Sequence, residues 1–497
     1  MRFVPHSLVF PTLLLMGCAF SGEDLGMAGQ AELDPVVGQT ILFVGTDLTT
    51  LRTNIYQVQA VTPVDTFATT EERNAAVLTA EDFEVTVLTD FEVGEGPLVT
   101  DGDTLLPSEA PFAVPDRLGQ RVALVVTGTD GDQNIPVGRA AVIDLLTEEQ
   151  TLAPDTEGLN GARFTWLGSH LILERQDPLT GLRGLSALDL TAGGPLEAVD
   201  VVVPGASDLL LAGLLRDTNQ FLLLANDGNS GTEIVRYDPV TGTSESLVEP
   251  VSGGLGQLEM SQSGEFLAAT LTDPETGRRT IAVTEVSEMG PGTWAPLTAA
   301  LDSDCSDPVW NPSRAAGESQ LLAYVCHDLD TARPDIMLWE GVNTPSGTAP
   351  PSMETLTGGA QPAVPDGSMD GLVLRARLRW DPSGQILLFG ASNSDDAFYD
   401  EPMSLLVLDL EERRAIPVFD GGDGEADLAH FAAASSEPVL LVWNRSASGL
   451  ENSIGQHPIQ LVAADPQGER TVRGVDLGRD LLVSYPLFRG GNTLIYP

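Results

Sequence analysis

The chain has 497 residues and no lysine; all 25 basic residues are arginine, against 72 acidic ones. A formal charge of −47 repels phosphate backbones and anionic headgroups. Nucleic acid is therefore excluded as an expected partner. Histidine is scarce, at five residues. His170, His327, His430 and His457 stand far apart, without paired ligand spacing. There is no His-Glu-x-x-His, no Cys-x-x-Cys and no Gly-x-Ser-x-Gly. Long apolar runs are also missing. Leu8–Met16, interrupted by Pro11, and every later stretch fall short of the ~20 apolar residues that span a bilayer. Helical periodicity is confined to Glu71–Leu78. From these absences we expect neither cofactor nor catalytic residues, and so not an enzyme. Calcium is only weakly suggested, at Asp130-Gly131-Asp132 and Asp420–Glu425, because neither has EF-hand spacing.

What the chain does have is a repeat. Trp380-Asp381-Pro382-Ser383-Gly384-Gln385-Ile386-Leu387-Leu388-Phe389 reads as a strand ending in Trp, a tight turn and an apolar strand. Trp310-Asn311-Pro312-Ser313 before Leu321–Val325, and Ser261-Gln262-Ser263-Gly264 before Phe266, repeat the pattern. Apolar marker strands begin at Ile41, Val122, His170, Phe221, Phe266, Leu321, Ile386, Val439 and Thr493. From Val122 on they recur at roughly 45–65 residues, near the size of a four-stranded blade. Further strand-like runs follow the markers, for instance Ile234–Tyr237 and Ser246–Val248. The 51 Gly and 34 Pro punctuate the chain as turn residues. The expected fold is all-β: a single β-propeller of eight four-stranded blades, with seven as the alternative count. Pairing of the N- and C-terminal strands would close it and remove two exposed edges. Asp82–Leu106 has no assigned place.

The Trp-x-Pro-Ser-Gly hairpin resembles the repeat of TolB-type, WD40-like β-propellers, over roughly residues 120–497. The resemblance implies a protein-binding platform, and in some relatives an attached hydrolase domain. Phe164–Gly168 and Phe431–Ser435 depart from the motif, lacking its Pro-Ser-Gly turn.

At the N-terminus, Leu15-Met16-Gly17-Cys18 resembles a bacterial lipobox. This implies a signal peptide over 1–17 and a lipid anchor on Cys18; a secretory signal cut after Ala19 is the alternative. Ala19 rather than Asp after the anchor leans towards the outer membrane. Residues 18–37 read as a flexible, acidic, Gly-rich tether and 38–497 as the propeller. The expected location is the bacterial envelope, facing the periplasm or the cell surface, with membrane contact through lipid alone.

Two cysteines remain. If Trp310 lies opposite Leu321, antiparallel pairing puts Cys305 opposite Cys326, and a cross-strand disulfide follows in an oxidising compartment. Two buried thiols are the alternative.

An Asp follows most marker strands: Asp47, Asp130, Asp177, Asp227, Asp273, Asp328 and Asp395. In a propeller these loops share one face, so the carboxylates would ring the channel mouth. That ring is the candidate interaction face, for an envelope protein or a basic peptide segment bound by a monomer. Asp is also an ordinary turn residue that bonds its own backbone. The expected function is a non-catalytic, lipid-anchored interaction platform. The alternative is a propeller enzyme, or a carbohydrate- or metal-binding protein, with its site at the channel mouth.

Overall fold

A computed structural model describes the strands and most turns between residues 40 and 488. Outside the description lie 1–39, 61–79, 98–112, 153–162, 342–360, 363–372, 393–403, 420–427, 445–456 and 489–497, with shorter loop stretches. The described residues are almost all β, with one short 3₁₀ turn at Ala80–Asp82.

The strands form eight antiparallel meanders. Their positions are called a to d here, in meander order. Sheet 1 joins the two ends of the described chain: Leu481–Phe488 as a, then Thr40–Asp47, Thr53–Ala60 and Phe83–Val87. Sheet 2 has a split strand a, Gly96–Pro97 and Ala113–Pro115, then Arg121–Thr129, Pro136–Asp144 and Gln150–Leu152. Sheet 3 is Arg163–Leu167, His170–Gln176, Arg183–Asp189 and Ala198–Asp200. Sheet 4 is Asp208–Leu215, Gln220–Asn226, Thr232–Asp238 and Thr243–Val251. Sheet 5 is Gly254–Met260, Phe266–Thr272, Arg279–Glu285 and Ala295–Pro296. Sheet 6 is Ser303–Trp310, Leu321–Asp328, Pro334–Glu340 and Gln361–Pro362. Sheet 7 has a split strand a, Val373–Leu374 and Arg379–Trp380, then Ile386–Ser392, Ser404–Asp409 and Arg414–Phe419. Sheet 8 is Leu428–Phe431, Val439–Trp443, Ile459–Ala464 and Arg470–Gly474.

Every marker from Ile41 to Val439 lies in a strand b. The ninth, Thr493, lies outside the described residues, as does Glu71–Leu78. The middle of strand b is mostly apolar and buried, because both of its faces are covered. Ile41 and Phe43 pack with Leu441 and Leu461 of sheet 8, whereas Leu42 and Val44 pack with Val122 and Leu124 of sheet 2. Comparable clusters join sheets 2 and 3, 3 and 4, 4 and 5, 5 and 6, and 6 and 7. Sheets 7 and 8 touch through Arg414–Phe419 and Ile459–Ala464. The core is thus a succession of sandwiches between neighbouring sheets, as a propeller requires. The stretch left unassigned in sequence, Asp82–Leu106, supplies strand d of sheet 1 and the first piece of strand a of sheet 2.

The repeat's turn has a local cause. Gly384 sits at φ 72° and Gly264 at φ 73°, where L side chains are disfavoured. Asp381 is buried, and its Oδ1 accepts from the amides of Gln385 and Ile386 at 2.8 and 2.7 Å. The Trp of the motif reaches backwards. Trp380 Nε1 donates to the Val309 carbonyl and Trp310 Nε1 to that of Glu259, each at 3.1 Å, on strand a of the preceding sheet.

The disulfide joins Cys305 and Cys326, directly paired across strands a and b of sheet 6. The register behind that expectation needs one correction. Trp310 faces Leu322, not Leu321. A bulge between Ser306 and Val309 inserts one residue, with Asp307 at φ 56°.

Candidate functional site

Only three of the seven predicted carboxylates, Asp47, Asp273 and Asp328, lie among the described residues. Asp130, Asp177, Asp227 and Asp395 lie outside, as do both calcium candidates and Cys18. Asp328 ends strand b of sheet 6 opposite Ser303. Asp47 and Asp273 share another local task. Asp273 Oδ1 accepts from the amides of Glu275 and Thr276 at 2.8 and 3.0 Å, and the Gly277 amide closes onto the Asp273 carbonyl at 2.8 Å. Asp47 Oδ1 accepts from Thr49 and Thr50 at 2.8 and 2.9 Å, and Leu51 closes the turn at 2.7 Å. These amides hold both carboxyls below the usual aspartate range. Asp144 and Asp238 cap the c–d turns in the same way, at the opposite end of strand c. The cap is therefore a turn device found on both faces, and does not by itself mark one.

The same b–c turns carry an arginine that reaches the next sheet. Asp177-Pro178-Leu179-Thr180-Gly181-Leu182-Arg183 and Asp273-Pro274-Glu275-Thr276-Gly277-Arg278-Arg279 are parallel sequences. Arg183 donates through its backbone amide and side chain to Asp208, the first residue of sheet 4. Arg279 does likewise to Asp304 in sheet 6, with its amide at 2.8 Å and Nε at 2.9 Å. Burial pushes Asp208 and Asp304 up, but these hydrogen bonds outweigh it and leave both below the ordinary value. Sequence reading missed this clasp, although the seven-residue pattern was there to find.

A second unforeseen feature joins sheets 5 and 6. Gln257, at φ 45°, and Asp307 occupy facing bulges on the two a strands. Gln257 Nε2 donates to Asp307 Oδ1 at 2.6 Å, and the Asp307 amide returns to Gln257 Oε1 at 2.8 Å. No local motif announces it, because each partner lies in a different repeat.

Beside Asp47 the junction of sheets 1 and 2 opens into a pocket of about 570 Å³. Its lining includes Asp47, Arg52, Asn54, Tyr56, Phe91 and Arg479. Asn54 is buried, and its Oδ1 accepts from Thr89 Oγ1 and the Phe91 amide, each at 2.9 Å, which fixes one wall. Arg52 is taken up by Asp90 at 2.9 Å and Glu92 at 2.7 Å. The Arg479 guanidinium lies over the Tyr56 ring, 5.9 Å from its centre. Among the described residues no carboxylate lies within ion-pairing distance of Arg479. The turn above the pocket carries Leu51 at φ 58°, where the matching turn has Gly277 at φ 71°. Among the described residues no group of three His, Cys, Asp or Glu is placed to hold a metal, and no helix is long and apolar enough to cross a membrane.

No protein-family profile and no curated protein matches the chain. Solved structures with a similar fold include TolB from Acinetobacter baumannii, at 13% identity and TM-score 0.34, covering 74% of this chain and 83% of that one. Another is the β-propeller domain of the Trilobed protease from Pyrococcus furiosus, at 11% identity and TM-score 0.41, covering 72% and 96%. A third is puromycin hydrolase, at 12% identity and TM-score 0.45, covering 75% of this chain and about half (54%) of that one. The expectation that the chain is not an enzyme is thereby corrected. Hydrolases stand among the proteins of similar fold, so the propeller gives no ground for excluding catalysis.

Proposed function

We propose that the chain is a bacterial envelope protein whose propeller is a docking platform for another envelope protein. Residues 1–17 are its signal peptide, Cys18 its lipid anchor and 18–37 its tether. Residues 38–497 form eight blades, closed by Leu481–Phe488 against Thr40–Asp47.

The observation that carries this reading is the asymmetry of sheet 1. Strand b starts at Thr40, just after the proposed tether in sequence, and ends at Asp47 on the other face. That far end bears Leu48, Leu51 and the pocket, with Leu51 61% exposed. A tether joined to the Thr40 end of the strand would leave the opposite face clear for a partner. Exposed apolar side chains around a polar pocket suit such a contact better than a bare acidic rim. The lipobox resemblance and the disulfide support an oxidising, extracytoplasmic location.

Two measurements test the reading. Globomycin treatment or Cys18→Ala should move the protein from the membrane to the soluble fraction. Crosslinking in membranes followed by affinity capture should recover a reproducible envelope partner. Recovery of none across independent preparations would overturn the platform role.

A further inference from the structure

We infer that the pocket between sheets 1 and 2 takes the C-terminal residue of a partner polypeptide, holding its free carboxylate on Arg479 and its apolar side chain against Val87, Leu88 and Phe91. The inference rests on the platform reading and names the group that is bound.

Charge is the first argument. On a chain of net charge −47, a guanidinium that meets no carboxylate at ion-pairing distance among the described residues is unusual. The other charges at the pocket have contacts of their own, although the Arg479 charge also acts on Asp47 through space. Asp47 turns its Oδ1 to its own turn amides, and Arg52 is held by Asp90 and Glu92. Tyr56 positions the Arg479 fork, and burial raises the pKa of Tyr56 above its ordinary value. A planar guanidinium on an aromatic ring presents paired donors, which suits a carboxylate better than a point charge would.

Shape is the second. About 570 Å³ lies within the range of small-ligand sites, roughly 300–1,000 Å³. Val87, Leu88 and Phe91 give one wall apolar character. That combination suits a chain end, which brings an anion and a side chain together.

The third argument is the strained rim. Leu51 is held in the left-handed region and is 61% exposed, with Leu48 beside it at 46%. A glycine would serve the turn better, as at Gly277. An exposed leucine kept there against its conformational preference has a use if an apolar partner covers it.

The test uses acetyl-Gly-Gly-Leu as the free acid and as its C-terminal amide, titrated into the intact protein by calorimetry. The acid should bind at least about tenfold more tightly than the amide. Arg479→Gln should remove that preference, weakening the acid about tenfold and leaving the amide unchanged. Arg479→Lys, which keeps the charge but loses the fork, should fall between. Equal affinity for acid and amide, or no binding of either at millimolar concentration, would overturn the inference. The acid–amide comparison needs no variant, so a folding defect in Arg479→Gln cannot hide the result. Capture of a membrane partner unaffected by Arg479→Gln, with no acid preference, would sink the pocket and leave the platform standing. Acid-selective binding without any captured partner would do the reverse.

Discussion

Sheets 5 and 6 meet through Arg279 on Asp304, through the reciprocal pair Gln257 and Asp307, and through Trp310 on the Glu259 carbonyl. The Cys305–Cys326 disulfide lies beside them. Sheets 1 and 2 meet differently. Arg52 again leaves a b–c turn for the approach to the next sheet, but Asp90 and Glu92 are 88% and 69% exposed. Strand a of sheet 2 is split, and a pocket stands beside the junction. The two junctions share an Asp-capped turn and an arginine. They differ in whether a continuous strand a arrives to receive it. A continuous strand lets polar side chains crosslink the sheets, whereas the split one stands beside a concavity where Arg479 lies over Tyr56 and, among the described residues, meets no carboxylate at ion-pairing distance.

This contrast can be broken at several points. The largest effect should come from replacing Cys305 and Cys326 together by Ala. Loss of a loop closure of this size should cost about 3 kcal/mol, read by chemical denaturation. The outcome that breaks the contrast is no loss, which would mean that sheet 6 does not depend on the staple between its own strands a and b.

Next come the arginine pairs. Asp304→Asn should cost about 1–2 kcal/mol, because it weakens charge-assisted bonds in a half-buried place. Arg52→Gln should cost well under about 1 kcal/mol, as expected of an exposed pair. Equal losses would erase the distinction between the junctions.

The pH dependence sharpens the same point. The folded-state pKa of Asp304 lies below its ordinary value of 3.8. The ionised pair therefore stabilises the fold fully above about pH 4, and the contribution is lost as pH falls through the folded pKa. Asp304→Asn should flatten the stability profile only below about pH 4. A difference that grows towards neutral pH would contradict this sign.

The smallest effects separate the turns. Gly277→Ala forces a side chain into φ 71°, with nothing nearby to clash, and should cost about 1 kcal/mol. Leu51→Gly should instead gain about 0.5 kcal/mol, since it relieves the left-handed conformation at some cost in chain entropy. Thermal melts of the two variants should move in opposite directions.

Much of the fold was legible because it is written locally. Strand b is a largely apolar run, and in sheets 5 and 7 the turn before it is closed by Ser261 or Asp381 with a following Gly. The eight described markers therefore fell in equivalent strands. The cysteine pairing was legible too, since the two residues flank one hairpin. The bulge at Asp307 was not, because an extra residue leaves the alternation of a strand pattern intact on either side of it. The carboxylate face was read from position alone. Where Asp47 and Asp273 are described, their oxygens serve the turn, and the identical caps at Asp144 and Asp238 show that position was too weak a signal.

By itself, then, the sequence determined the all-β repeat, the pairing of strands within each meander and the sites of the tight turns. These follow from alternation, apolar runs and the φ preferences of Gly, Pro and Asp, which act over a few residues. Only tertiary structure decided which arginine meets which aspartate, where two bulges face each other, and that Arg479 stands over Tyr56 beside Asp47. Those partners are brought together by packing one sheet on the next, over separations of 25 to more than 400 residues. No local preference encodes such a distance.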